Sequence, residues 1–124
     1  MLRSMFTVCI KGSKEAVELY QQAFGAELVS EHKNEDGTYM HAELDVFGQI
    51  LAISEALPEA GERIAGTTMQ FCLHLGERKE EVVRKAYDVL RDGAKIAFPL
   101  GESFFSPCMF GLIDKFEVNW NLFV

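Results

Sequence analysis

The chain has 124 residues, 48% of them hydrophobic and 25% charged, with a formal net charge of −7. That length suits one domain with a core of its own, and no apolar run approaches the ~18–20 residues of a membrane-spanning helix. The acidic balance excludes the clustered Lys and Arg that nucleic acid or an anionic membrane surface requires.

The start, Met1-Leu2-Arg3-Ser4, leads straight into a strand-like pattern with no long apolar leader, so a cytoplasmic location is expected. The cysteines Cys9, Cys72 and Cys108 lie far apart with no CxxC spacing. They read as reduced thiols in packing roles.

Residues 5–11 alternate Phe6, Val8 and Ile10 against Thr7, Cys9 and Lys11, which predicts a strand. Gly12-Ser13 breaks it, Ser13 is the expected N-cap of a helix, and Glu15 complements the helix dipole. Ala16, Val17, Tyr20, Ala23 and Phe24 recur at helical spacing until Gly25 supplies a left-handed stop. A hairpin follows, with strands over 27–32 and 38–47 around Asn34-Glu35-Asp36-Gly37. In the return strand Met40, Ala42, Leu44 and Val46 alternate with Tyr39, His41, Glu43 and Asp45. A further strand spans Gln49 to Ser54, and Glu55 to Gly66 shows no periodicity, as a connector would.

The same order then returns. Residues 67–75 alternate Met69, Phe71, Leu73 and Leu75 against Thr68, Gln70, Cys72 and His74. A helix is expected from about Glu77 to Arg91, on the stripe of Val82, Val83, Ala86, Tyr87, Val89 and Leu90, with Gly93 beyond it. Three strands close the chain at 95–98, 108–113 and 117–124. The apolar ending is too costly to leave in water, at ~1.5–3 kcal/mol for each large side chain. An α+β class follows: two tandem βαβββ units within a single domain over 1–124, unit one at 1–55, a linker at 56–66 and unit two at 67–124.

That doubled pattern resembles the vicinal oxygen chelate superfamily, which includes glyoxalase, bleomycin-resistance and dioxygenase proteins, and within it the PhnB-like branch. The residues that carry the resemblance are the helix Ala16 to Gly25 (AVELYQQAFG), the strand Met40 to Leu44 (MHAEL), and the ending from Phe98-Pro99-Leu100 through Phe104-Phe105 to Asp114-Lys115-Phe116 and Val118-Asn119-Trp120. Glu117 departs from it by standing where a glycine is usual. Phe105 to Cys108 departs from it by replacing a segment that contains Trp-Gly. The resemblance implies a curved mixed sheet around a cleft, and a homodimer. On the alternation of the sequence, the less apolar face would line that cleft with Thr7, Cys9, His41, Glu43, Gln70, Cys72 and His74.

Metal-dependent relatives hold their ion at four positions, which by the resemblance fall near Met5, near Ala52 or Ser54, at Gln70 and at Trp120. Only Gln70 is a suitable donor, so no cofactor is expected and a divalent metal is disfavoured. A rearranged set of His41, Glu43 and His74 is chemically conceivable, but His41 and Glu43 as ordinary hydrogen-bonded sheet residues is the simpler reading.

Three functional readings stay open. The first is a small-molecule-binding protein whose metal-free cleft takes a hydrophobic or amphipathic guest on Gln70, Cys72, His74, Phe104, Phe105 and Trp120, with the indole N–H of Trp120 orienting it. The second is a lyase or isomerase using His41 and Glu43 as an acid/base pair, with or without a metal. The third is a structural dimer without a ligand. No glycine-rich loop follows a strand, which leaves no nucleotide or methyl-donor site to propose.

Overall fold

A computed structural model describes residues 1–124, the side chain of residue 60 excepted. In chain order the elements are β1 (Phe6–Ile10), α1 (Ser13–Phe24), β2 (Glu27–Lys33), β3 (Tyr39–Val46) and β4 (Gln49–Glu55), then β5 (Phe71–His74), α2 (Glu80–Leu90), β6 (Lys95–Gly101), β7 (Met109–Ile113) and β8 (Asn119–Phe123). Strand, helix and three strands thus occur twice, and the chain divides into two compact units, Met1–Ile64 and Ala65–Val124. No helix is long and apolar enough to cross a membrane.

In the first unit the strand order is β1-β4-β3-β2, with β1 parallel to β4 and the other pairs antiparallel. α1 packs on β3 and β4 through its buried stripe of Ala16, Val17, Tyr20, Ala23 and Phe24, and Gly25 ends it in the left-handed conformation. Its start differs from the sequence reading. Ser13 does not cap the helix; the carboxylate of Glu55, at the end of β4, accepts from the backbone N–H groups of Gly12 and Ser13 and from the Ser13 hydroxyl. The Ser13 hydroxyl oxygen in turn accepts from the Tyr39 N–H, so one buried side chain joins α1, β3 and β4. Glu55 therefore belongs to the sheet and not to the connector, which carries a short 3-10 turn at Pro58–Ala60.

Two bulges interrupt the pairing of β2 with β3. Leu28 faces Leu44 and Ser30 faces Glu43, leaving Val29 over, while His32 faces His41 and Lys33 faces Tyr39, leaving Met40 over. The extra residue at Met40 reverses the alternation there. Tyr39 is buried and Met40 is 59% exposed, the opposite of the sequence reading.

The second unit has the order β5-β8-β7-β6. β5 is shorter than the alternation from Thr67 suggests, because it pairs with β8 only from Phe71 to His74. Met69, expected on the apolar face, is exposed. α2 begins at Glu80 instead of Glu77, after Gly76 and Arg78 have both taken positive φ. β6 runs on through Pro99 to Gly101, which an edge strand tolerates because one side has no partner for the missing N–H.

The turn between β7 and β8 is organised by Asp114, whose side chain accepts from the N–H groups of Phe116 and Val118 through Oδ1 and from the Trp120 indole N–H through Oδ2. Glu117 sits at φ 66° in this turn, in the left-handed region that favours glycine. Replacing Glu117 with Gly should therefore stabilise the protein by about 1 kcal/mol, the order of the left-handed penalty for a residue with a Cβ. Urea denaturation followed by Trp120 fluorescence measures this, and a lower midpoint would show that the Glu117 side chain contributes more than its backbone costs.

Candidate functional site

In the first unit, pairing places Thr7, Ala52, Glu43 and Ser30 opposite one another across β1, β4, β3 and β2. Glu43 is only 6% exposed. A buried carboxylate needs donors, and Glu43 has them: Arg3 binds it in a two-pronged contact, Nη1 to Oε2 at 2.9 Å and Nη2 to Oε1 at 2.8 Å. His41 Nε2 lies 2.9 Å from Oε1.

The hydrogen bond from Arg3, then that from His41, hold the Glu43 carboxyl down to about 2, against the opposing effect of its burial. Glu43 is thus an ionised acceptor at neutral pH. A carboxyl held that low is a weak proton acceptor, poorly matched to the general-base half of the acid/base pair near neutral pH. Because the carboxylate has no proton to offer, the proton between the two residues belongs to His41 Nε2. Neutral His41 then carries its lone pair on Nδ1. The His41 side chain is 33% exposed, and Nδ1 is the ring nitrogen that Glu43 does not engage.

In the second unit, the registers set Phe71, Trp120 and Leu112 in one row and Cys72, Asn121, Gly111 and Phe98 in the next. Successive rows point to opposite faces of a sheet. Tyr87 of α2 packs against Phe110, which pairs with Leu122, so the helix covers the face of Phe110, Leu112, Trp120 and Leu122. Trp120 is 2% exposed, packs on Phe71, and gives its indole N–H to Asp114. It cannot floor a pocket or orient a guest, and it does not share a face with Cys72. β8 contributes Asn121, not Trp120, to the face carrying Cys72 and His74.

The structure brings the remaining candidates together on that second face. His74 pairs with Phe123 and its ring stacks on the Phe123 ring at 4.5 Å and 12°. Phe105 meets Phe123 edge-on at 5.3 Å, and Phe104 meets Phe105 at 5.1 Å. The ladder ends in water: Phe105 is 49% exposed and Phe104 fully so. Gln70 stands at the edge, exposed, with its amide on Asn119. Cys9 and Cys72 are exposed, contrary to the packing role read from sequence; Cys108 alone is buried, and burial raises its thiol pKa.

Two residues were missed by the sequence reading. Asn121 Oδ1 is buried with no hydrogen-bond partner, in the row of Cys72 and Gly111. An Asn between Trp and Leu in a terminal strand was the available signal. Arg3 was missed because nothing local ties it to a residue 40 positions away. Among the described residues no group of three or more His, Cys, Asp or Glu side chains is placed to hold a metal ion.

No protein-family model matches the chain, and no curated protein matches it. Solved structures do. The PhnB protein of Bacillus cereus superposes with a TM-score of 0.80 at 22% identity, covering 98% of each chain. Protein PA1353 of Pseudomonas aeruginosa gives 0.79 at 22%, over 99% of this chain and 97% of the other. The fosfomycin resistance protein FosX of Listeria monocytogenes gives 0.71 at 12%, over 98% and 91%. The chain has the fold of these PhnB-like and glyoxalase-superfamily proteins, as the resemblance in sequence implied.

Glu43 links the site to acid stability. With an ordinary glutamate value of 4.5 lowered to about 2 in the folded protein, its contribution is complete above pH 4.5 and is lost as pH falls from there through about 2. Replacing Arg3 with Ala should raise the Glu43 titration midpoint and move the acid limb of unfolding to higher pH. Carboxyl carbon NMR reads the midpoint directly, and an unchanged value would mean that Arg3 does not hold this carboxylate in solution.

Proposed function

We propose that the protein binds a small hydrophobic or amphipathic molecule, without a metal, on the second unit's face that carries His74, Phe123, Phe105 and Phe104. The observation that carries this reading is the ring ladder itself, anchored on the half-buried Phe123 of β8 and exposed at His74, Phe104 and Phe105. Exposed rings held in fixed stacked and edge-on geometry present a ready surface to a flat apolar guest, since neither ring has to be ordered on binding. The polar end of an amphipathic guest has exposed amide groups nearby in the same sheet, the Gln70–Asn119 pair. A protein of this fold does hold a small molecule: one FosX structure, at a TM-score of 0.65, contains Mn(II) and a dihydroxypropylphosphonic acid.

The lyase or isomerase reading has its own observation, the His41 Nε2 contact with Glu43, which leaves Nδ1 to take a proton or meet a metal. In that reading Glu43 positions His41 and Arg3 keeps Glu43 charged, with no direct role for either at the substrate.

Titration with the fluorescent probe anilinonaphthalene sulfonate tests the first reading. Phe105→Ala should weaken probe binding by ~3–10-fold, the worth of one aromatic contact, while His41→Ala should leave it unchanged. Equal binding by Phe104→Ala, Phe105→Ala and the wild type would remove the ladder as the site. If the protein is a dimer that either Phe substitution dissociates, the ladder is a subunit contact and the structural-dimer reading replaces this one.

A further inference from the structure

We propose that His32 and His41 form a two-imidazole site for a divalent transition-metal ion of the zinc, nickel or copper class. The inference concerns the first unit and does not depend on the ligand reading above. His32 of β2 and His41 of β3 are direct cross-strand partners. Side chains so paired point to the same face with Cβ atoms ~4.5–5.5 Å apart, close enough for two rings to share an ion at bond lengths of ~2.0–2.1 Å.

Three further features make the pair more than a coincidence of sequence. The first is that His41 Nε2 is taken by Glu43, which leaves Nδ1 as the free donor atom. A metal-binding histidine typically gives its other ring N–H to a carboxylate in this way, which fixes the tautomer and strengthens the ligand. The second is Arg3, which occupies both oxygens of Glu43 and keeps that carboxylate as a support for His41 and away from any ion. That division also accounts for the lack, among the described residues, of a three-ligand cluster: the carboxylate is spent on orientation, and water fills the rest of the coordination shell. The third is register, since bulges at Val29 and Met40 lie on either side of the pair and pin His32 against His41.

Access and charge agree with this assignment. His32 is exposed and the His41 side chain is 33% exposed. The nearest cation on β2, Lys33, has its ammonium over the Tyr39 ring at 5.6 Å. A net charge of −7 favours the approach of a cation. Imidazole pairs suit zinc, nickel and copper, whereas magnesium and calcium require several oxygen donors, and both oxygens of the neighbouring carboxylate, Glu43, are taken by Arg3.

The test is titration of the full chain, without a histidine tag or chelator, with zinc and with nickel, followed by calorimetry and by NMR of the imidazole nitrogens. One equivalent should bind, the His32 and His41 ring signals should move together, and the His74 signals should not. His32→Ala, on an exposed edge strand where it does not threaten folding, and His41→Ala should each weaken binding at least ~10-fold, and Glu43→Gln by ~10–100-fold through loss of the supporting carboxylate. His74→Ala should bind as the wild type does. The proposal is overturned if neither metal binds at millimolar concentration, if His32→Ala retains full affinity, or if binding disappears with Cys9→Ser or Cys72→Ser while the His32 and His41 signals stay still.

Discussion

Strand register is the constraint on which every placement in this protein depends. Side chains alternate faces with a period of two, so a slip of one residue moves a whole strand's side chains to the other side of the sheet. In the second unit, β8 pairs with β5 so that Phe71 meets Trp120 and Cys72 meets Asn121. That parity buries the indole under α2 and sets a carboxamide beside the thiol. In the first unit, the bulges at Val29 and Met40 decide that His32 meets His41 and that Tyr39, not Met40, turns inward.

Three carboxylates, Asp114 and Glu43 buried and Glu55 half-buried, show how charge is used once the registers are set. Asp114 and Glu55 serve the backbone: Asp114 gathers the N–H groups of Phe116 and Val118 and the Trp120 indole, and Glu55 holds the open N–H groups at the start of α1. Such acceptors stabilise a turn and a helix end, and an unsatisfied buried partner costs ~1–3 kcal/mol when one is removed. Glu43 differs because both its donors are side chains. One of them, His41, keeps a second nitrogen free. A network that ends on an available donor atom can do chemistry, whereas one that ends on the backbone only holds the fold.

Much of the frame could be read from the chain alone. The alternation of β1, β5 and β8, the stripes of α1 and α2, and Gly25 as a stop are local patterns, and local patterns are what a sequence displays. The doubled order of elements is displayed in the same way. What could not be read depends on partners distant in sequence. Glu55 as the cap of α1 and Arg3 as the partner of Glu43 each join residues about 40 apart, and Ser13, a good local cap, was drawn into the sheet instead. Trp120 was placed on the wrong face because periodicity gives the alternation of a strand but not which phase meets its neighbour.

The two units thus put different chemistry on one frame. In the first, the row across the sheet is Thr7, Ala52, Glu43 and Ser30, polar and centred on a fixed charge with an imidazole beside it. In the second, the corresponding row is Cys72, Asn121, Gly111 and Phe98, uncharged, and the next row on that face, His74 and Phe123, leads into exposed rings. Gly111 keeps that row low: a Cβ there would stand 3.6 Å from both the Asn121 amide nitrogen and the Phe98 Cβ. An ion gains from fixed donors and a supporting charge, while an apolar guest gains from a flat surface with no charge to desolvate. The side chains that suit one are therefore the ones that would spoil the other, and the division between the units follows from that opposition.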